Sequence, residues 1–296
     1  MEVILLGTSS MVPTEERNHS GAWLRYKEEN ILIDCGEGTQ RQIRKAKISA
    51  MKITKILITH WHGDHILGLP GLFLTLGSQG YSTPLEIYGP RGSKEYVQRI
   101  MQLFVPRETI QYKVIEVDKG TFFENEEFTL IALPLQHSIS CLGYSFVEKD
   151  RRRIDMKKLL KAGVKAGPHL KQLQTGEDIL FEGKKIKAKD YTALVAGKKI
   201  SFVTDTLSCE HAVLLAKEAD ILFCESTYLE DLKEMAKERK HMTAREAGLI
   251  AKKAKAKKLV LIHFSQRYTD LSLFSKEAKK VFPNTIAGKD LQVFTV

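Results

Sequence analysis

The sequence predicts an α/β fold. Short runs of aliphatic and β-branched residues recur along most of the 296-residue chain, separated by stretches with apolar residues three and four apart. That alternation is expected of strands buried in a sheet and helices that cover it. The composition, 43% hydrophobic and 28% charged, is that of a globular protein, and the length allows a sizeable core. No internal repeat at a solenoid or propeller period is visible.

In chain order, VILLG (3–7), AWLRY (22–26) and NILIDCG (30–36) read as strands, and EGTQRQIRKA (37–46) as a helix. KILITH (55–60) is a strand. HILGLPGLFLTLGS (65–78) is apolar enough for a buried helix, with Pro70 near its start or at a kink. LEIYGP (85–90) is a strand, and GSKEYVQRIMQLF (92–104) has helical apolar spacing. KVIEV (113–117), FTLIALPL (128–135) and GYSFV (143–147) follow as strands. Late in the chain KISFVTD (199–205), DILFCEST (220–227), KLVLIHFS (258–265) and LQVFTV (291–296) are strand-like, with helices around 210–219, 228–239, 243–256 and 271–281.

Apolar density drops between about 149 and 198, where Gly, Pro and Lys accumulate. We read 1–296 as a single domain and 149–198 as an insertion in it, with too few large apolar residues for a core of its own. Residues 151–200 hold 14 Lys and Arg against 5 Asp and Glu, a balance of +9 within a net charge of +10. A block this basic favours a polyanion. Cys35, Cys141, Cys209 and Cys224 show no CxxC pairing and read as reduced thiols. MEVILLGTSS has no basic n-region, and no apolar run approaches the length of a membrane span. We expect no membrane association and a cytoplasmic protein.

His60, His62, Asp64 and His65 crowd into H-W-H-G-D-H at the end of an apolar run. On a helix, residues two apart point in different directions, whereas at a strand end His60 and His62 face one side. Gly63 then permits a tight turn that returns Asp64 and His65 to the same point. Imidazole with carboxylate suits Zn²⁺, and this spacing can serve two adjacent ions. The further ligands must come from elsewhere in the chain. His137, Asp205 and His263 each close an apolar strand, where α/β sheets put their sites.

HWHGDH, with Asp34, His137, Asp205 and His263 in this order, resembles the metallo-β-lactamase superfamily. Further stretches narrow the resemblance to the tRNase Z family within it. These are LGTSS near the start, PTEERN (13–18), LIDCGEGTQRQ (32–42), THWHGDHILGLPG (59–71), PLQHSISCLGY (134–144), GVKAGPHLKQLQTG (163–176), FVTDT (202–206), ESTY (225–228), HMTAREA (241–247) and HFSQRY (263–268).

The resemblance implies a metallo-β-lactamase αββα four-layer sandwich with an inserted basic arm and two zinc ions at one edge. One ion would take His60, His62 and His137, the other Asp64, His65 and His263. Asp205 would bridge them, and Asp34 would orient a ligand histidine. The implied activity is removal of the 3′ trailer from precursor tRNA, leaving a 3′-OH on the tRNA and a 5′ phosphate on the trailer. In that reaction His241, held by Glu225, would protonate the leaving oxygen, and Asp64 would help to place the water.

The implied arm is flexible and grips tRNA through Gly167 and Pro168, flanked by Arg151, Arg152, Arg153, Lys157, Lys158, Lys161 and Lys165. Arg17 and Asn18 would meet the tRNA 3′ end, in a loop where Glu15 stands in place of the family's usual Lys. Trp61 replaces the usual Leu and is expected to pack beneath the site. A homodimer is also implied. The alternative is another dinuclear-zinc phosphodiesterase of the same superfamily, which has no evident need of a +9 arm.

Overall fold

The computed structural model describes residues 1–103, 105 and 110–296. Its strands are β1 Glu2–Gly7, β2 Gly21–Tyr26, β3 Glu29–Ile33, β4 Lys55–Leu57, β5 Leu85–Gly89, β6 Tyr112–Glu116, β7 Gly120–Glu124, β8 Phe128–Leu135 and β9 Cys141–Glu148. They continue as β10 Arg151–Ile154, β11 Ile179–Phe181, β12 Lys184–Ile186, β13 Thr192–Val195, β14 Lys199–Val203, β15 Ile221–Glu225, β16 Leu259–Ile262, β17 Thr285–Ala287 and β18 Val293–Thr295. The helices are α1 Thr39–Lys45, α2 Gly63–Ile66, α3 Leu69–Ser78, α4 Ser93–Gln102, α5 Met156–Lys161, α6 Leu170–Thr175, α7 Ala188–Tyr191, α8 Glu210–Ala216, α9 Lys233–Glu238, α10 Ala244–Lys253 and α11 Ser272–Lys279.

The chain divides into two compact units. The larger holds Met1–Phe123, Leu130–Phe146 and Lys199–Val296. Two seven-stranded sheets form the frame, in the orders β18-β1-β2-β3-β4-β5-β6 and β17-β16-β15-β14-β9-β8-β7. In the first, β18, β1, β2 and β3 pair antiparallel, then β3 to β6 parallel. In the second, β14 to β17 pair parallel. Between the sheets, Phe223 meets Phe294 at 5.3 Å, Tyr26 meets Phe146 at 5.2 Å, and the Tyr144 hydroxyl donates to the Ile58 carbonyl at 2.7 Å. Helices α1, α3 and α4 pack on the first sheet, and α8, α10 and α11 on the second. This is the expected four-layer α/β sandwich.

Two covered faces explain why ILFCE in β15 and LVLI in β16 are buried at every position, with no alternation. Outside them, Leu69, Leu72 and Leu76 of α3 close over Ile56 and Ile87, and Ile250 and Phe274 close over Leu222 and Leu261. Each fully buried aliphatic or aromatic side chain is worth about 1.5–3 kcal/mol of transfer free energy. A capping box, Thr243 with Glu246, starts α10.

Several expectations change in detail. KILITH stops pairing at Leu57, so His60 stands beyond the strand. The stretch 65–78 is two helices, and Pro70 sits in the first turn of the second, where its missing N–H costs nothing. The expected helix over 228–239 is helical over Lys233–Glu238, after a short 3₁₀ turn at Glu230–Leu232. Strands β7 and β17 were not anticipated. Phe104, the expected end of α4, lies outside the described residues.

The smaller unit holds Glu124–Thr129 and Val147–Lys198. Strands β10 and β13 pair antiparallel, as do β11 and β12. The expectation that 149–198 lacks a core of its own is corrected here. Leu159, Val164, Leu173, Ile179, Ile186 and Ala188 form a buried cluster, with Ile154, Met156, Leu170, Phe181 and Tyr191 packed against it. These apolar residues stand singly among lysines, and they are gathered only by the turns between short elements. No helix among the described residues is long and apolar enough to cross a membrane.

Candidate metal centre

Strand exits build the site, all within the larger unit. Asp34 follows β3, His60 to His65 follow β4, His137 follows β8, Asp205 follows β14, Glu225 ends β15 and His263 follows β16. Asp34, Asp205 and His263 have φ of +56°, +42° and +63°. Left-handed backbone is uncommon outside glycine, though Asp and His tolerate it better than most, and three such residues in one cluster mark a place where surrounding structure holds the chain against its preference.

The turn in HWHGDH is not the one expected. Gly63 has no positive φ; it opens α2, and His62 is the residue before the helix. Helix α2 carries Asp64 and His65 inward, both buried. Its approach depends on two other glycines. A Cβ on Gly36 would lie 2.4 Å from the Asp64 carbonyl oxygen, and one on Gly68 2.2 Å from the Gly36 carbonyl oxygen. The close passage lets the Cys35 N–H donate to the His65 carbonyl at 2.7 Å, which sets Asp34 against His65.

Two groups of side chains converge. His60, His62, His137 and Asp205 form one, and Asp64, His65, Asp205 and His263 the other; in each, the polar atoms lie within 4.8 Å of one another. His62 Nδ1 is 3.1 Å from His137 Nε2, and His65 Nε2 is 3.3 Å from His263 Nε2. Asp205 Oδ2 is 3.4 Å from His60 Nε2, 3.5 Å from His65 Nε2 and 3.8 Å from His137 Nε2, and its Oδ1 is 3.2 Å from His263 Nε2. Asp64 Oδ2 lies 3.5 Å from His65 Nε2 and 3.4 Å from His263 Nε2.

The opposite ring nitrogens are occupied. His65 Nδ1 is 2.7 Å from Asp34 Oδ2, His60 Nδ1 3.1 Å from the Thr59 hydroxyl, His137 Nδ1 3.1 Å from the Lys240 carbonyl, and His263 Nδ1 2.9 Å from the Thr227 hydroxyl. Such contacts fix ring orientation and leave the other nitrogen bare for a cation. Asp34 is itself held by the Thr59 N–H and hydroxyl, each at 2.8 Å.

A metal ion fits this donor set. His60 Nε2 and Asp205 Oδ1 are buried without a hydrogen-bond partner, a lack that bound cations would make good. Burial pushes His60, His62 and His137 down, so they are neutral, the form that binds metal. For His65 burial also works downward, but Asp205, Asp64 and Asp34 outweigh it and raise the imidazole well above its usual value. Burial works against ionised Asp205, yet His263 and His65 hold its carboxyl far below the usual range. The surplus of carboxylate around His65 is a charge that a cation would balance.

Beside these groups stands a second pair. His241 Nδ1 is 3.1 Å from Glu225 Oε1. Glu225 is wholly buried and accepts from the Thr206 N–H at 2.6 Å and the Met242 N–H at 3.2 Å. Burial would lower the His241 pKa, but the Glu225 carboxylate and its hydrogen bond raise it to about 9. A cleft of about 360 Å³ is lined by His62, Asp64, His137, Asp205, His241 and His263, with Met11, Val12, Arg239 and Arg267 also on its walls.

Other expected residues of this unit do not line the cleft. Arg17 is buried, its guanidinium reaching the Ser265 carbonyl at 3.4 Å, and it lines a separate cavity of about 600 Å³. Asn18 ties its loop to the Asp290 carboxylate at 2.7 Å and to the Glu37 carbonyl at 2.8 Å. Trp61 stacks on Tyr96 and donates to Ser93, so it packs against α4 and not beneath the site.

In the smaller unit, Arg151, Arg153, Lys157, Lys158, Lys161, Lys165 and Pro168 are exposed, and Arg152 and Gly167 are half-buried. Arg152 donates to the Thr192 hydroxyl, and Lys158 to the Asp190 carbonyl over the Tyr191 ring. Thr59 and Thr227 carry no role that the sequence alone makes legible. A threonine near a strand exit is ordinary; the one available signal was its position within two residues of an acid or a histidine already singled out.

Comparison with known proteins gives two family models. One described as "Anti-Pycsar protein Apyc1" matches residues 1–147, and one described as "Beta-lactamase superfamily domain" matches residues 179–264. The chain is 40% identical to a ribonuclease Z of Protochlamydia amoebophila, covering 99% of this chain and 96% of the relative. It is 41% identical to a ribonuclease Z of a Picosynechococcus species, covering 100% of this chain and 96% of the relative. Among solved structures, the short form of human tRNase Z superposes with a TM-score of 0.73 at 30% identity, covering 100% of this chain and 99% of that one.

Proposed function

The chain belongs to the ribonuclease Z family, and from that premise we propose that it is a zinc-dependent endoribonuclease that removes the 3′ trailer from precursor tRNA. The observation that carries the metal part of this reading is the pair of donor sets that share Asp205. His60, His62 and His137 would hold one ion and Asp64, His65 and His263 the other, with Asp205 between them. When bound, two zinc ions supply a Lewis acid for a phosphoryl oxygen and bring the pKa of a water from 15.7 to about 7.

The remaining chemistry falls to the protein. Hydrolysis places the oxygen of water on phosphorus and breaks the bond to the ribose 3′ oxygen. That oxygen leaves with a proton, and the products are a 3′-OH on the tRNA and a 5′ phosphate on the trailer. His241 would give the proton. Its Nδ1 is engaged by Glu225, whose carboxylate favours the charged ring and leaves Nε2 free for the cleft. Asp64, on the same wall, would help to place the attacking water.

The basic insertion would bind the tRNA body by its phosphates, a grip that gives affinity with little sequence information. The exposed lysines and arginines of 151–165 and the Gly167–Pro168 turn support that reading. The enzyme would act as a homodimer in the cytoplasm.

The test is to incubate the protein with one precursor tRNA and determine both product ends. A single cut leaving a 3′-OH and a 5′ phosphate, lost with a chelator and restored by zinc, is the expected outcome. Hydrolysis of small phosphodiesters with the precursor left intact would instead favour another phosphodiesterase of the same superfamily.

A further inference from the structure

Thr227 lies two residues past the end of β15 and is 2% exposed. Its hydroxyl oxygen is 2.8 Å from Glu225 Oε2, 2.9 Å from His263 Nδ1 and 3.3 Å from His241 Nδ1. A hydroxyl has one hydrogen to donate and two lone pairs with which to accept. Glu225 decides where that hydrogen goes. Its two oxygens already receive backbone N–H groups from Thr206, Met242 and Thr227, an environment that holds a carboxylate ionised and able only to accept. The Thr227 hydrogen is therefore committed to Oε2. Toward His263 the hydroxyl can only accept, so Nδ1 must carry the ring hydrogen. Nε2, 3.2 Å from Asp205 Oδ1 and 3.4 Å from Asp64 Oδ2, is then the nitrogen left to face a cation held by those carboxylates.

We propose that Thr227 is a positioning residue: its single hydroxyl fixes His263 in the Nδ1–H tautomer and ties that imidazole to the Glu225–His241 pair. This rests on the reading of the cleft as a zinc site. It makes the metal cage and the proton donor one hydrogen-bonded unit. Loss of the hydroxyl would leave His263 Nδ1–H without its partner in a buried place, while Glu225 Oε2 would keep only backbone N–H groups.

The experiment uses the full-length protein with Thr227→Val, which keeps the shape and loses the hydroxyl, and Thr227→Ser, which keeps the hydroxyl. Each is loaded with zinc and titrated with a chelator. We expect T227V to release metal at about 10–100-fold lower chelator concentration, the usual effect of removing such a partner, and T227S to stay within about threefold of the parent protein. Nitrogen-15 spectra of the metal-free parent protein should show the His263 hydrogen on Nδ1.

Equal metal retention by T227V and the parent, or release by T227S as easy as by T227V, overturns the proposal. So does an Nδ1 without a hydrogen in the parent protein, a result that needs no variant to fold. Failure of the parent protein to bind zinc or to cut precursor tRNA would overturn the proposed function instead, and the spectra would still decide the tautomer.

Discussion

The proposed metal cage and the basic insertion, the proposed grip on tRNA, are built in opposite ways. In the cage every imidazole but His62 is buried or nearly so, and most have their second nitrogen tied to a named partner, such as Asp34 for His65 or Thr227 for His263. In the insertion, Lys157, Lys161 and Lys165 stand exposed on short elements around a small apolar cluster. One is built so that each part fixes the next. The other spreads its charge over many side chains, none of which needs a set position. A single substitution should therefore be ruinous in the cage and hardly register in the insertion.

The sharpest way to break the comparison is His65→Ala. His65 touches Asp34, Asp64, Asp205 and His263. Its loss should cost roughly a thousandfold or more in precursor cleavage, the several kcal/mol a metal supplies, while precursor binding in a filter assay changes little. Surviving activity would show that the second donor set is not needed.

His241→Gln should slow precursor cleavage about 10²–10⁴-fold, and much less for bis(p-nitrophenyl) phosphate, whose leaving group needs no proton. The pH profile sharpens this. Burial opposes the charged ring and Glu225 favours it, and the pKa is raised to about 9. In the metal-free protein the charged form is thus abundant at pH 7 and is lost as pH rises through about 9. Precursor cleavage should fall on the alkaline side in the parent protein, and the H241Q rate should not follow that fall.

Leu173→Ala tests the insertion as a body with its own packing. A buried Leu→Ala change costs about 2–5 kcal/mol. We expect faster proteolysis within 147–198 and weaker precursor binding, with hydrolysis of the small phosphodiester unchanged. Equal loss on both substrates would mean that the insertion does more than grip. The smallest effect belongs to Lys161→Ala. Binding should weaken less than about threefold, and the slope of log affinity against log salt should drop by about one if Lys161 meets a phosphate.

The same contrast governs how much was legible in the sequence. His60, His62, Asp64 and His65 are neighbours along the chain, so their gathering needed only local geometry, although the turn comes from the start of α2 and not from a strained Gly63. His137, Asp205 and His263 were legible as polar residues that close apolar runs. Thr59 and Thr227 were not, because their roles are hydrogen bonds made to groups that only the fold brings near. The cluster of Leu159, Leu173 and Ile186 was missed for a related reason. Each stands alone among lysines, without the period of a long helix or strand, and turns collect them. The burial of Arg17 was not legible either, because a cation in a polar loop carries no local sign that the fold will cover it.

The most direct test of the central claim is to count zinc per chain while following cleavage, adding zinc stepwise to stripped protein with precursor tRNA present. Two ions per chain are predicted, with cleavage complete only when the second is bound and the same 3′-OH product throughout. Full cleavage by protein that holds no metal, or by protein with a single ion and no capacity for another, would contradict it.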